Sequence, residues 1–168
     1  MIRMLRIVAL LVLAAATLAA LRYAVLLPLL CEARVTRALD ALDAAADRND
    51  VVQHAASRFV SSSLHGCGCA EPFDFKLTYA HGSAARYRGD AREAVRLYER
   101  ALLLDRRPEI YLDLGMAQLD ALDRDSAIAS FVAAVAFDPA RLERIPYRDV
   151  RNETAERIRA RFGASWLP

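Results

Sequence analysis

The sequence predicts an all-α fold in which an N-terminal transmembrane or signal helix precedes a short stack of helical hairpins and a C-terminal capping helix. Three observations support this prediction. An apolar run opens the 168-residue chain, small and aromatic residues recur 33 residues apart in its second half, and the flanking segments carry apolar residues at helical spacing. The predicted divisions are a membrane segment (1–30), a hairpin with a Gly/Cys connector (31–72), two repeats (73–141) and a capping helix (142–168).

The first element is an apolar segment preceded by basic residues. Arg3 and Arg6 lie before residues 7–30, a run of 24 residues in which Arg22 is the one charged position. A helix needs about 20 residues to span the hydrocarbon core of a bilayer. Taken only as far as Arg22, the segment has instead the length of a secretory signal, with small residues suited to cleavage. We expect an uncleaved anchor, with a cleaved signal as the alternative.

Charge and composition indicate where the rest of the chain lies. The basic N-terminus favours export of the residues after the span. Only Lys76 is a lysine among the 23 basic residues, and the chain is rich in alanine, a bias typical of GC-rich bacterial coding. We therefore expect an inner-membrane protein with its repeats in the periplasm. The net charge of +2 comes from interspersed acidic and basic residues, a pattern that argues against nucleic-acid binding.

A degenerate hairpin is predicted between the membrane segment and the repeats. Residues 32–46 and 50–63 both place apolar side chains at helical spacing, with 47–50 as the turn. His54 stands where the later hairpins have alanine, so this hairpin does not follow their pattern. The apolar residues predicted to face the core are Val35, Leu39, Leu42, Val51, Val52, Phe59 and Val60.

Four positions of the second half recur at a fixed distance of 33 residues. In each copy a glycine lies on the first helix, and an alanine, an aromatic residue and a second alanine follow on one face of the second helix, as two interlocking helices require. Gly82, Ala94, Tyr98 and Ala101 recur as Gly115, Ala127, Phe131 and Ala134. Gly89 suits a helix C-terminus, and Asp90 and Asp125 suit the N-caps of the helices that follow.

With these residues the chain resembles the tetratricopeptide repeat family. The segment 108–141 matches at most positions of the family pattern, and 75–107 matches at fewer. The matching residues of the second copy are Tyr111, Leu114, Gly115, Ala127, Phe131, Ala134 and Pro139. The resemblance implies paired helices whose first members line a concave groove that binds protein.

The groove residues implied by the resemblance mix aromatic, basic, apolar and acidic side chains. They are Lys76, Tyr79, Ser83, Arg86, Tyr87, Glu109, Leu112, Met116, Leu119 and Asp120. Such a surface suits an extended peptide or a partner helix. The alternative is that some of these residues pack under the upstream hairpin. We expect a non-enzymatic, membrane-anchored scaffold, without a cofactor, that helps assemble or tether a bacterial envelope complex.

The cysteines offer the main alternative function. His65, Cys67 and Cys69 lie within five residues, but this spacing fits neither the usual zinc ligands nor a Cys-x-x-Cys redox motif. We interpret the segment as a connector whose thiols form a local disulfide or pair with Cys31. The second interpretation is a redox- or metal-handling site at Cys67 and Cys69. Leu30 stands where a lipoprotein signal requires a small residue, which argues against lipidation of Cys31.

A final helix is predicted from an N-cap at Asp149 to about Arg161, ended by Gly163. Its apolar residues are expected to seal the last repeat. These are Val150, Ala155, Ile158 and Phe162. Neither a phosphate-binding glycine loop nor a His-Glu-x-x-His motif occurs in the sequence, and no catalytic residues are predicted.

Overall fold

The computed structural model describes residues 2–46, 48–67, 74–163 and 166, with the backbone alone for residues 2–9 and 23. Within these residues the fold is all-α, as predicted, with eight α-helices and no strand. The helices are α1 (Ile2–Leu21), α2 (Leu27–Ala45), α3 (Asp50–Ser63), α4 (Phe75–Tyr87), α5 (Ala91–Leu104), α6 (Pro108–Asp120), α7 (Arg124–Phe137) and α8 (Arg148–Phe162). A π-helical turn, Arg22–Leu26, joins α1 to α2, and a 3₁₀ helix, Pro139–Arg144, follows α7.

The N-terminal apolar segment and the first helix of the first hairpin form one continuous rod. α1, the π-helical turn and α2 follow one another without a loop, so the helix predicted over 32–46 is the extension of the apolar segment. In the part of the chain that the structure describes, this is the one helix long and apolar enough to cross a membrane, and its most apolar stretch is not buried in the fold. Its length and its apolar composition alone distinguish it in this way.

The two predicted repeats are helical hairpins, α4–α5 and α6–α7, each closed around a glycine. A Cβ atom added to Gly82 would lie 2.9 Å from the ring of Tyr98, and one added to Gly115 would lie 2.6 Å from the ring of Phe131. Both rings are almost wholly buried. Each glycine therefore lets an aromatic ring of the second helix lie against the backbone of the first, as the sequence predicted.

The turn of the second repeat, between α6 and α7, differs from the prediction. Asp90 caps α5 and follows Gly89, whose φ is +81°. The cap of α7 is Asp123, which accepts a hydrogen bond from an amide in the first turn of that helix, and not Asp125. The 33-residue offset places Leu122 at the position of Gly89, and Leu122 also has a positive φ of 64°. The prediction misaligned this turn by two residues.

The first hairpin, α2–α3, buries the predicted core residues Val35, Leu42 and Val60, but its helix α3 turns a different face inward from the one predicted. Val51, Val52 and Phe59 are 75%, 42% and 46% exposed, whereas Ser57 and Val60 are fully buried. The inward face of α3 thus follows positions 57 and 60, where a small side chain lets the helix approach its neighbours closely. α2 buries residues at helical spacing, namely Cys31, Val35, Ala38, Leu42 and Ala45.

Helix α8 seals the stack. Val150, Ala155 and Ile158 are buried against residues of α7, as predicted, while Phe162 is 40% exposed and stacks on Trp166. The helix begins at Arg148 without a side-chain cap. Asp149 was predicted as its N-cap but forms an ion pair with Arg124 at 2.8 Å. Gly163 ends the helix with a φ of +95°.

A disulfide joins Cys31 of α2 to Cys67, which follows α3. Cys67 is fully buried and Cys31 is 6% exposed. Of the two predicted arrangements, the one with Cys31 is present, and a local bond between Cys67 and Cys69 is incompatible with it. Cys69 itself lies outside the described residues. The bond holds the connector against α2, directly after the apolar segment that ends at Leu30.

A charged cleft between the first hairpin and the repeats

The first hairpin and the repeats enclose a cleft of about 300 Å³. Its walls come from α2, from α4 and α5, from α6 and from the end of the 3₁₀ helix. The lining combines three tyrosines, carboxylates and two arginines with a few small or apolar residues. The lining residues are Leu39, Asp40, Leu42, Asp43, Ala46, Tyr79, Ser83, Arg86, Tyr87, Tyr98, Asp113 and Arg144.

A hydrogen-bonded chain of hydroxyl groups forms the floor of the cleft. The Tyr79 hydroxyl donates to the carboxylate of Asp113, and so connects α4 with α6. The Tyr98 hydroxyl donates to the Oγ of Ser83 at 3.0 Å, and that Oγ donates to the carbonyl oxygen of Tyr79 at 3.2 Å. Because three helices contribute to this chain, the floor is held in one arrangement.

Burial changes the pKa values of the titratable groups in the floor. It raises the pKa of Asp113 above its ordinary value, although the hydrogen bond from Tyr79 and the charges of Arg86 and Arg144 act in the opposite direction. Burial and the neighbouring Asp113 raise the pKa of Tyr79 far above its ordinary value. Tyr79 therefore remains a hydrogen-bond donor at neutral pH, and Asp113 takes up a proton more readily than an exposed carboxylate.

Acidic and basic side chains occupy the more accessible parts of the lining. Asp40 and Asp43 of α2 and Arg144 of the 3₁₀ helix are exposed. Arg86 is partly buried, and its Nε donates to Asp120 at 2.9 Å. The cleft thus combines a floor of tyrosine rings and the buried Asp113 with acidic and basic side chains at its mouth, a distribution suited to holding a polar chain that has an aromatic or apolar anchor.

Four of the ten predicted groove residues line this cleft, namely Tyr79, Ser83, Arg86 and Tyr87. Tyr87 also packs under the first hairpin, since its hydroxyl donates to the carbonyl oxygen of Leu42 at 3.3 Å. Lys76 is exposed at the start of α4, with its Nζ 4.0 Å from Glu32, and lies outside the cleft.

The five groove residues predicted on α6 are distributed over separate environments. Leu112 is 4% exposed and belongs to the apolar cluster that contains residues of α7 and α8. Glu109 forms an ion pair with Arg141 at 3.1 Å. Met116 and Leu119 pack at the edge of the same cluster. Leu119 and Asp120 line a smaller pocket of about 210 Å³. The structure does not bring all ten residues into one continuous groove.

The prediction missed the most buried carboxylate of the cleft, Asp113, and the basic residue Arg144. The position of Asp113 is readable in retrospect, because it shares a helical face with Glu109, Met116 and Asp120, at offsets of four, three and seven. Arg144 carries no comparable signal. It reaches the cleft because the 3₁₀ helix folds back after α7, which is a tertiary property.

No cluster of three or more potential metal-ligating side chains occurs among the residues described. Cys67 is held in its buried bond to Cys31, so its sulfur does not pair with Cys69 in this structure. Comparison of the sequence with known family models and curated proteins, and of the fold with solved structures, finds no match. A functional interpretation therefore depends on the residues of the cleft and on the N-terminal rod.

Proposed function

We propose that the protein is a non-enzymatic, membrane-anchored scaffold of the tetratricopeptide repeat type. It binds a peptide or a helix of a partner protein in the cleft, and in this way helps assemble or tether a bacterial envelope complex. The rod formed by α1 and α2 supplies the anchor. The binding surface is shared between the end of α2, the helices α4, α5 and α6, and the 3₁₀ helix.

The observation that carries the proposal is the composition of the cleft. Tyrosines provide rigid contact area that is apolar over the ring and polar at the hydroxyl, which is why they are enriched at protein interfaces. A volume of about 300 Å³ is near the lower limit for ligand pockets. It accommodates one or two anchoring side chains, and the rest of the bound segment lies across the exposed charges of Asp43 and Arg144.

The disulfide supports the proposed location. Bonds of this kind persist in oxidising compartments such as the bacterial periplasm and are rare in the cytosol. The Cys31–Cys67 bond lies directly after the apolar segment. An inner-membrane anchor with the hairpins in the periplasm would place this bond on the oxidising side.

A charge-reversal pair tests the proposal. Full-length protein with Arg144→Glu is compared with Arg148→Glu, which is also at an exposed position but lies outside the cleft. Proteins retained from solubilised native membranes are quantified against the unmutated chain. We expect Arg144→Glu to reduce retention of a specific partner at least five-fold, the effect of about 1 kcal/mol. The control is expected to retain it. Equal retention by both variants, with unchanged helicity, would reject the cleft as the binding site.

A further inference from the structure

We propose that a pocket at the base of the first hairpin binds the phosphate of an anionic phospholipid headgroup. The pocket is lined by Arg34, Arg37, Phe59, Ser62 and Ser63 and has a volume of about 370 Å³. The inference depends on the proposed membrane anchor, but it is independent of the cleft. It assigns a ligand to residues that protein binding in the cleft does not use.

The pocket begins within the headgroup layer and extends just beyond it, where both arginine side chains reach that layer. The apolar run ends at Leu30, and each helical residue advances the rod by 1.5 Å, so the Cα atoms of Arg34 and Arg37 lie about 6 and 10 Å farther along it. The polar layer on each side of the hydrocarbon core is about 5–7 Å thick. Helical side chains tilt toward the N-terminus of their helix, which here is the membrane end, and arginine is long enough to extend farther in that direction.

The charges of the pocket suit an anion. Among the residues that the structure describes, its lining contains two guanidinium groups and two serines, and no carboxylate. Arg34 donates to the carbonyl oxygen of His65 at 3.5 Å, and Arg37 donates through its Nε to the carbonyl oxygen of Ala33 at 3.2 Å. In the described part of the chain, neither arginine is within ion-pair distance of an acidic group. Their positive charge is therefore available to a phosphate, which guanidinium binds with paired hydrogen bonds.

The remaining wall fits the rest of a lipid headgroup. Phe59 is 46% exposed, and its ring forms the apolar side of the pocket, which suits the glycerol-ester region that links a headgroup phosphate to its acyl chains. The same observation gives a reason for an apolar residue on the outer face of α3.

A lipid site also explains why these arginines follow the span. Basic residues close to a membrane helix are favoured on the cytoplasmic side, yet Arg34 and Arg37 follow the apolar run on the side proposed to be exported. Contact with anionic headgroups offsets this disfavoured placement, because each arginine near an anionic surface strengthens binding about five-fold.

The test uses full-length protein in nanodiscs made from equal amounts of phosphatidylglycerol and phosphatidylcholine. Native mass spectrometry reports which lipids remain bound to the protein after it is released from the nanodisc. The variant Arg34→Gln/Arg37→Gln is compared with Arg92→Gln/Arg106→Gln, which removes the same charge from two exposed positions of the repeats. A third variant, Arg34→Lys/Arg37→Lys, keeps the charge but loses the paired geometry of guanidinium.

We expect the unmutated chain and the repeat control to retain phosphatidylglycerol preferentially. The glutamine variant should lose that preference by about ten-fold or more, and the lysine variant should keep part of it. Equal preference in the glutamine variant and the unmutated chain would overturn the proposal, as would an equal loss in the repeat control.

Inorganic phosphate, added at constant ionic strength, distinguishes the source of the anion. Retention of phosphatidylglycerol in its presence supports a lipid site, whereas full displacement would identify free phosphate as the ligand and reject the lipid. Extraction of the chain from nanodiscs at alkaline pH would contradict the membrane anchor itself. A chain that stays inserted but shows no lipid preference would contradict the pocket alone.

Discussion

Replacement of Gly115 by alanine tests the packing of the second repeat. The added Cβ would lie 2.6, 2.7 and 2.9 Å from three atoms of the Phe131 ring. Carbon atoms in van der Waals contact are about 3.5–4.0 Å apart, so the ring would have to move by about 1 Å. Phe131 is fully buried between α6 and α7, and its neighbours leave little space for that movement.

The net effect is the difference of two contributions. Overpacking a well-packed core costs about 1–3 kcal/mol, and three ring atoms under 3 Å favour the upper part of that range. Alanine in place of glycine within a helix returns about 1 kcal/mol. We expect Gly115→Ala to lower the free energy of unfolding by about 2 kcal/mol, and the melting temperature by about 4–8 °C.

Urea denaturation of the full-length chain in detergent micelles, followed by circular dichroism at 222 nm, measures the change. Ala129→Gly at an exposed position of α7 measures the helix-propensity contribution without a close contact. Phe131→Leu removes part of the ring, so Gly115→Ala in that background should be far less destabilising. Neutral or increased stability of Gly115→Ala in the unmutated background would refute the packing argument.

Three further predictions follow from single features. Leu122→Gly should raise the free energy of unfolding by about 0.5–1 kcal/mol in a urea titration, because Leu122 has a φ of 64° and its side chain is 93% exposed. Cys67→Ser should lower it by about 3–4 kcal/mol, since the bond to Cys31 spans 36 residues, and reductant should bring the unmutated chain to the same stability. Burial raises the pKa of Asp113, so the folded state binds its proton more tightly than the unfolded state. Stability should therefore fall as pH rises from about 4 through that raised pKa, and Asp113→Asn should remove this part of the pH profile.

The sequence was sufficient where packing depends on local spacing. The small residues at 82 and 115 had to face the aromatic side chains at 98 and 131, because offsets within a helical hairpin determine which residues meet. The same reasoning gave the helices, the seal by Val150 and Ile158 and the glycine that ends α8.

The sequence was insufficient where burial depends on how closely two helices approach each other. α3 turns Ser57 inward and leaves Phe59 partly exposed, although hydrophobicity alone favours the opposite. Asp113 forms part of the cleft floor because α4 and α6 bring it to Tyr79. Its helical face can be read from the spacing along α6, but the contact with Tyr79 depends on how the two helices pack. The error at Asp125 was avoidable, since the 33-residue offset from Asp90 leads to Asp123.

Site-specific photo-crosslinking tests the central claim most directly. A photoreactive residue at Asp43, which is exposed in the cleft lining, is compared in native membranes with one at Glu99, which is exposed on α5 outside the cleft. We predict that position 43 attaches to one defined protein and that position 99 does not. Attachment to that protein from both positions, or from position 99 alone, would contradict a binding site in the cleft.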